Sequence, residues 1–133
     1  MTQIKLFTLE QAVKMLPLVQ RIVADILKTG QAIRELSVEM EKPEEDPEIN
    51  RLMDQLDELF EEIELLGCYY KDWNFTVGLV DFPAKVHGKD VMFCWRSDES
   101  SIYFYHDSES GYAGRRPIPK ELLEGSGKKE EGR

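Results

Sequence analysis

Leu56-Asp57-Glu58-Leu59-Phe60-Glu61-Glu62-Ile63-Glu64-Leu65-Leu66-Gly67-Cys68-Tyr69-Tyr70 carries the chain from one kind of pattern into another. Up to Leu66 the apolar residues Leu56, Leu59, Ile63 and Leu66 step by three and four, the spacing of one helix face. Gly67 offers a left-handed helix end. Past it come aromatic and β-branched residues broken by turn residues, which read as strands. A helical half followed by a sheet half defines an α+β domain.

Backward from this junction, the same stripe begins at Ile49 and Leu52, after Asp46-Pro47, where Asp suits a helix cap and Pro the first helical position. Pro43 closes the preceding segment. Thr8-Leu9-Glu10-Gln11 has the form of a capping box. From there Leu9, Ala12, Leu16, Val19, Val23, Ile26, Gly30 and Ile33 repeat as a heptad seam, with Pro17 marking a kink or a fresh start. The spacing predicts helices over about 9–38 and 47–66, joined by a short linker into an antiparallel, coiled-coil-like hairpin. Each carries a second apolar pair seven apart, Met15 with Ile22 and Met53 with Phe60, wider than a two-helix seam buries. That surplus meets a sheet or another subunit, and the four residues are candidate interface positions in a homodimer.

Forward from the junction, residues 71–82, 91–96 and 101–106 read as a three-stranded antiparallel meander packed on the helices. A two-residue turn at His87-Gly88 sets Phe82 opposite Phe93 and Val80 opposite Trp95. A short second turn at Ser97-Asp98-Glu99-Ser100 would continue those rows to Phe104 and Ile102, with Asp81, Cys94 and Tyr103 in line on the other face. Trp73, Phe75 and Val77 fall out of phase with Val80 and Phe82, so Gly78 is expected to hold a bulge. One domain covers residues 1–118, and the Gly-, Lys- and Glu-rich residues 121–133 read as a disordered tail.

Composition narrows the partners. The 133 residues carry a formal charge of -9, and residues 39–64 alone hold 12 acidic side chains against Lys42 and Arg51. Binding to a nucleic-acid duplex needs clustered Lys and Arg, and the adjacent basic residues amount to Arg115-Arg116 and, in the tail, Lys128-Lys129, so none is expected. The acidic run is either a solvated helix face or a surface for a cationic partner. No apolar run approaches the roughly 20 residues of a membrane span. The absence of an export signal and two cysteines that make no disulfide framework point to the cytoplasm.

No segment identifies a reaction: there is no glycine-rich phosphate loop, zinc-spaced cysteine pair, H-E-x-x-H or G-x-S-x-G. His87 falls in a turn and is given no chemistry. His106, followed by Asp107 and Glu109 and placed at the same sheet end as Asp81, is a candidate general base or, with Asp81, a ligand for a divalent metal. The bland alternative is a histidine closing a strand on nearby backbone. Gly111-Tyr112-Ala113-Gly114-Arg115-Arg116-Pro117 suits either anion binding or an internal ion pair with helix two or the Asp107/Glu109 run. Cys68 and Cys94 read as packing residues.

Taken in order, Leu6-Phe7-Thr8-Leu9-Glu10-Gln11-Ala12, Gly78-Leu79-Val80-Asp81-Phe82-Pro83-Ala84, Cys94-Trp95-Arg96, and His106 with Gly111 to Pro117 resemble the uncharacterised bacterial family catalogued as domain of unknown function 2203. The likeness spans about residues 4–118. It implies that Asp72, Asp81, Trp95, His106, Gly114 and Arg115 are the candidates for a shared ligand site; it implies no reaction. The leading functional expectation is a small interaction module working through the acidic helical hairpin and dimerisation. The alternative is a small-ligand or metal-binding domain, extended to hydrolysis if the polar cluster is catalytic.

Overall fold

The computed structural model describes residues 5–72 and 74–122. Two helices, α1 (Leu9–Ser37) and α2 (Pro47–Leu65), precede five strands, β1 (Tyr69–Lys71), β2 (Leu79–Val86), β3 (Lys89–Arg96), β4 (Phe104–Asp107) and β5 (Arg116–Pro117). The strands form one antiparallel sheet in chain order. The α+β class stands, with five strands where three were expected.

The helix ends form as their residues dictate. Thr8 Oγ accepts from the Gln11 amide at 3.0 Å, and Gln11 Oε1 accepts from the Thr8 amide at 3.0 Å. Asp46 Oδ2 accepts from the Ile49 amide, with Pro47 in the first turn. Gly67, at φ +92, ends α2, where the Gly67 amide donates to Glu64 and the Cys68 amide to Ile63. This pair of hydrogen bonds is the left-handed helix stop that a Cβ would strain. α1 is a single element through Pro17. It runs 29 residues against 19 for α2, about 44 Å against about 28 Å, so the helical part is one long helix beside a shorter one and the expected hairpin is not exact.

Most of both apolar seams is buried, together with Phe7, Tyr70, Val80, Phe82, Ala84, Val91, Phe93, Trp95, Ile102 and Ile118, in one core, with Ile33 and Leu66 partly buried against it and Ile49 and Leu52 buried outside it. The surplus apolar stripe is largely spent inside the chain. Ile22 is 6% exposed, while Met15 and Phe60 lie half-buried against the core, Phe60 with its ring 5.5 Å from Tyr70. Of the four candidate interface residues only Met53, 44% exposed, faces outward.

Three sheet expectations need correction. The long first strand is two short ones, because Asp72 and Phe75 adopt positive φ between β1 and β2. The intervening loop is tied to α1: Arg34 Nη2 donates to the Asn74 carbonyl and Gln31 Nε2 to the Phe75 carbonyl. Phe75 lies on Gly30, where a Cβ would fall onto the ring. Gly78 precedes β2 instead of bulging it, with its amide donating to Ser97 Oγ and its carbonyl accepting from the Ser97 amide. Trp73 lies outside the described residues.

The β2–β3 hairpin keeps the expected register, Phe82 opposite Phe93 and Val80 opposite Trp95, around His87 and Gly88, both at positive φ. The β3–β4 register does not. Phe93 pairs with Tyr105 and Cys94 with Phe104, one residue away from the expected pairing. Ile102 lies before β4, buried in the core. The connection is longer than a tight turn because Glu99 folds into it: its side chain accepts from the Arg96 amide and its carbonyl from Trp95 Nε1. Residues 111–117 form a 3-10 turn and β5 on the β4 edge. Of the tail expected to be disordered, Glu121 and Leu122 complete a helical turn with Leu122 against the core, and residues 123–133 lie outside the described residues.

Candidate functional site

Alternation along β2 sends Val80, Phe82 and Ala84 toward the helices and Asp81 and Pro83 to the other side. Cys94 lies directly opposite Asp81, and His106 opposite Met92, two residues from Cys94 on the same face. The one-residue slip of β4 is what places His106 here. In the expected register it would pair with Val91, whose neighbour Ala84 belongs to the core face.

Asp81, Cys94 and His106 therefore come together from three adjacent strands. Their exposures are 4%, 1% and 3%, and a carboxylate oxygen, the sulfur and a ring nitrogen all lie within 4.8 Å of one another. His106 Nε2 is 3.2 Å from both Asp81 oxygens, and Nδ1 is 2.8 Å from the Asp107 carbonyl. That carbonyl only accepts, so Nδ1 carries a proton and donates it. In a neutral ring the Nε2 lone pair then faces a carboxylate, two acceptors in one gap. A cation, either a proton or a metal ion, has to sit between them.

The sulfur has a cationic neighbour. Arg115 Nε donates to Cys94 Sγ at 3.3 Å, and Nη2 donates to the Cys94 carbonyl at 3.0 Å and to Glu99 Oε1 at 2.6 Å. Its guanidinium lies over the Phe104 and Tyr112 rings. Burial works against the guanidinium charge, but Glu99 and the Cys94 sulfur more than offset it and hold Arg115 above its ordinary value. Burial pushes the Cys94 thiol up to about 11, against the Arg115 hydrogen bond and with the Asp81 charge reinforcing the rise.

A cavity of about 160 Å³ opens onto the cluster, bordered by Lys71, Leu79, Met92, Ser108, Gly111 and Tyr112 as well as by the three side chains themselves. Arg96 Nη1 donates to Tyr112 Oη at 2.6 Å, fixing that wall. Space of this size holds an ion with its waters or a molecule of a few heavy atoms.

The six candidates from sequence fall into three groups. Asp81 and His106 touch, and Arg115 joins them through Cys94. Gly114 supports Arg115 by allowing the tight turn against Ser110, where a Cβ would collide with Ser110 Oγ. Trp95 is on the core face and reaches only the Glu99 carbonyl; Asp72 is in the β1–β2 loop, away from the cavity lining. Arg116 makes the expected internal pair with Asp107 at 2.9 Å, whereas Arg115 clamps Glu99 and not helix two. Sequence reasoning missed Cys94 and Glu99 as site residues, and gave Tyr112, within the candidate Gly111–Pro117 loop, no role of its own. The Asp81–Cys94 pairing was legible from the hairpin turn, but nothing in the sequence marked Glu99 as the Arg115 partner.

Fold and site together define an α+β domain with a carboxylate, a thiol and an imidazole buried beneath a small cavity. A family model described as "Uncharacterized conserved protein (DUF2203)" matches residues 5–118, and the chain belongs to this family, the domain of unknown function 2203. No curated protein and no solved structure matches the chain. Among the described residues no helix is long and apolar enough to cross a membrane.

Proposed function

We infer that this is a small-ligand-binding domain whose site is the cavity floored by Asp81, Cys94 and His106. The observation that carries the reading is the buried Asp81–His106 contact, a carboxylate and a ring nitrogen 3.2 Å apart that require a cation between them and border a cavity. Buried ionisable groups weaken a fold unless fully paired, so their position beside a cavity points to binding more than to stability. Lys71 and Tyr112 at the rim supply a positive charge and a hydroxyl for an anionic or polar ligand. Thermal unfolding against small anionic metabolites, nucleotides and divalent metals tests this. A ligand at a hundredfold excess over its dissociation constant stabilises by about 2.7 kcal/mol, a shift of several degrees for a domain of this size. His106→Ala should abolish that shift. A shift equal in wild type and variant, or none across the panel, overturns the reading.

A second reading, association through the outer face of α2, is favoured by the exposure of Met53 (44%) and Leu65 (83%) on a helix whose other outward residues are mostly acidic. It requires only part of the expected interface, since Ile22 is internal.

A further inference from the structure

We propose that the ligand of this cavity includes a zinc-type divalent transition-metal ion held by Asp81 carboxylate, Cys94 sulfur and His106 Nε2, with a fourth position open to the cavity. This rests on the ligand-binding reading above and names the chemistry of that site.

Three observations carry it. The first is the donor set. One oxygen, one sulfur and one imidazole nitrogen are the borderline-soft combination that selects zinc or cobalt over magnesium or calcium, and three protein ligands with one open position is the arrangement of reactive zinc sites. The second is geometry. Bonds of about 2.0–2.3 Å at tetrahedral angles separate the ligand atoms by roughly 3.3–3.8 Å. Nε2 and the Asp81 oxygens are already 3.2 Å apart, and the sulfur, within 4.8 Å, has at most about 1.3 Å to close. Three neighbouring strands hold the backbones in register, so the adjustment required is one of side-chain rotation.

The third is the surrounding shell. His106 Nδ1 donates to the Asp107 carbonyl, which fixes the tautomer with its lone pair on Nε2, the orientation a metal-binding histidine needs. Arg115 Nε donates to the sulfur and supports a thiolate there, while its own charge is answered by Glu99 at 2.6 Å. With Arg115 and Glu99 balancing each other, a carboxylate and a thiolate leave two negative charges, which one divalent ion neutralises. The same chain without metal needs protons in those places.

Cobalt(II) is the probe, because thiolate ligation gives it an intense near-ultraviolet charge-transfer band that oxygen and nitrogen ligands do not. The full-length protein, stripped with a chelator and titrated with cobalt, should develop this band to an end point of one ion per chain, and zinc should bleach it. Cys94→Ala should remove the band and weaken cobalt binding at least about tenfold, while Cys68→Ala keeps both. Asp81→Asn, which preserves shape and a hydrogen-bonding group, should weaken binding with the band retained. Circular dichroism of each variant shows whether it is folded. A band absent from the wild type, or persisting in folded Cys94→Ala, overturns the metal site. The ligand panel repeated in excess chelator separates the two claims: His106-dependent stabilisation there retains the ligand cavity and removes the metal, and loss of both sinks both.

Discussion

At the scale of single residues, the two cysteines show how far side-chain identity underdetermines chemistry. Each is mid-chain, apolar-flanked and buried, and each reads as packing; only Cys94 has a carboxylate, an imidazole and a guanidinium around its sulfur. Cys68, behind the α2 cap, is the plain case. Burial pushes its thiol up to about 12, with the Lys5 ammonium acting the other way. The sign follows: the folded state keeps this proton where the unfolded chain, titrating near its ordinary value, has lost it. Its contribution to stability is intact below about pH 9 and declines as pH rises toward 12, by up to about 1.4 kcal/mol per unit. Cys68→Ala should therefore show a shallower loss of stability between pH 9 and 12 than wild type in urea titrations. Parallel slopes would show that the thiol titrates normally in the fold.

At the scale of elements, the helices were legible nearly to the residue, within one position at both C-termini, because caps and stripe are local. Thr8, Gln11, Asp46 and Gly67 each act on backbone groups within five residues. The first strand was misread for the opposite reason. Whether residues 71–78 extend depends on α1, whose Gln31 and Arg34 hold the loop carbonyls and whose Gly30 receives Phe75. Gly30 fills a seam position where a larger residue would be ordinary, and that was the available clue. Gly30→Ala isolates the contact. Helix propensity alone would stabilise by about 1 kcal/mol, and overpacking against the ring costs about 1–3 kcal/mol. The denaturant midpoint should fall, by roughly 1 kcal/mol in stability, whereas the same substitution made in a Phe75→Ala chain should raise the midpoint above that of Phe75→Ala alone, because the clash is gone and the helix-propensity gain is left. A midpoint that rises in the single variant would mean the loop yields.

At the scale of the whole molecule, one sheet divides two environments. Its helix-facing side closes the core; its other side carries the polar cluster and is bordered by residues 108–115. Association adds a third surface. Should α2 mediate a homodimer, Met53→Glu would bring the protein from a larger size to near 15.4 kDa in sedimentation, since Met53 is the exposed member of the expected interface and the change leaves the core alone. Identical sedimentation of wild type and variant excludes this face. The sequence by itself determined the class, both helices with their caps, the His87-Gly88 hairpin and so the juxtaposition of Asp81 with Cys94. All of these rest on short-range periodicity, capping and turn chemistry. Only the tertiary structure decided that His106 joins them. Its side of the sheet turns on a single residue of register in β4, and that register is set by Glu99, which bonds the Arg96 amide, the Trp95 ring and Arg115 from a loop whose length no local pattern specifies. A period of two makes a strand easy to recognise and its facing easy to invert, so the residues around His106 can be read correctly as strand and still place the histidine on the wrong face.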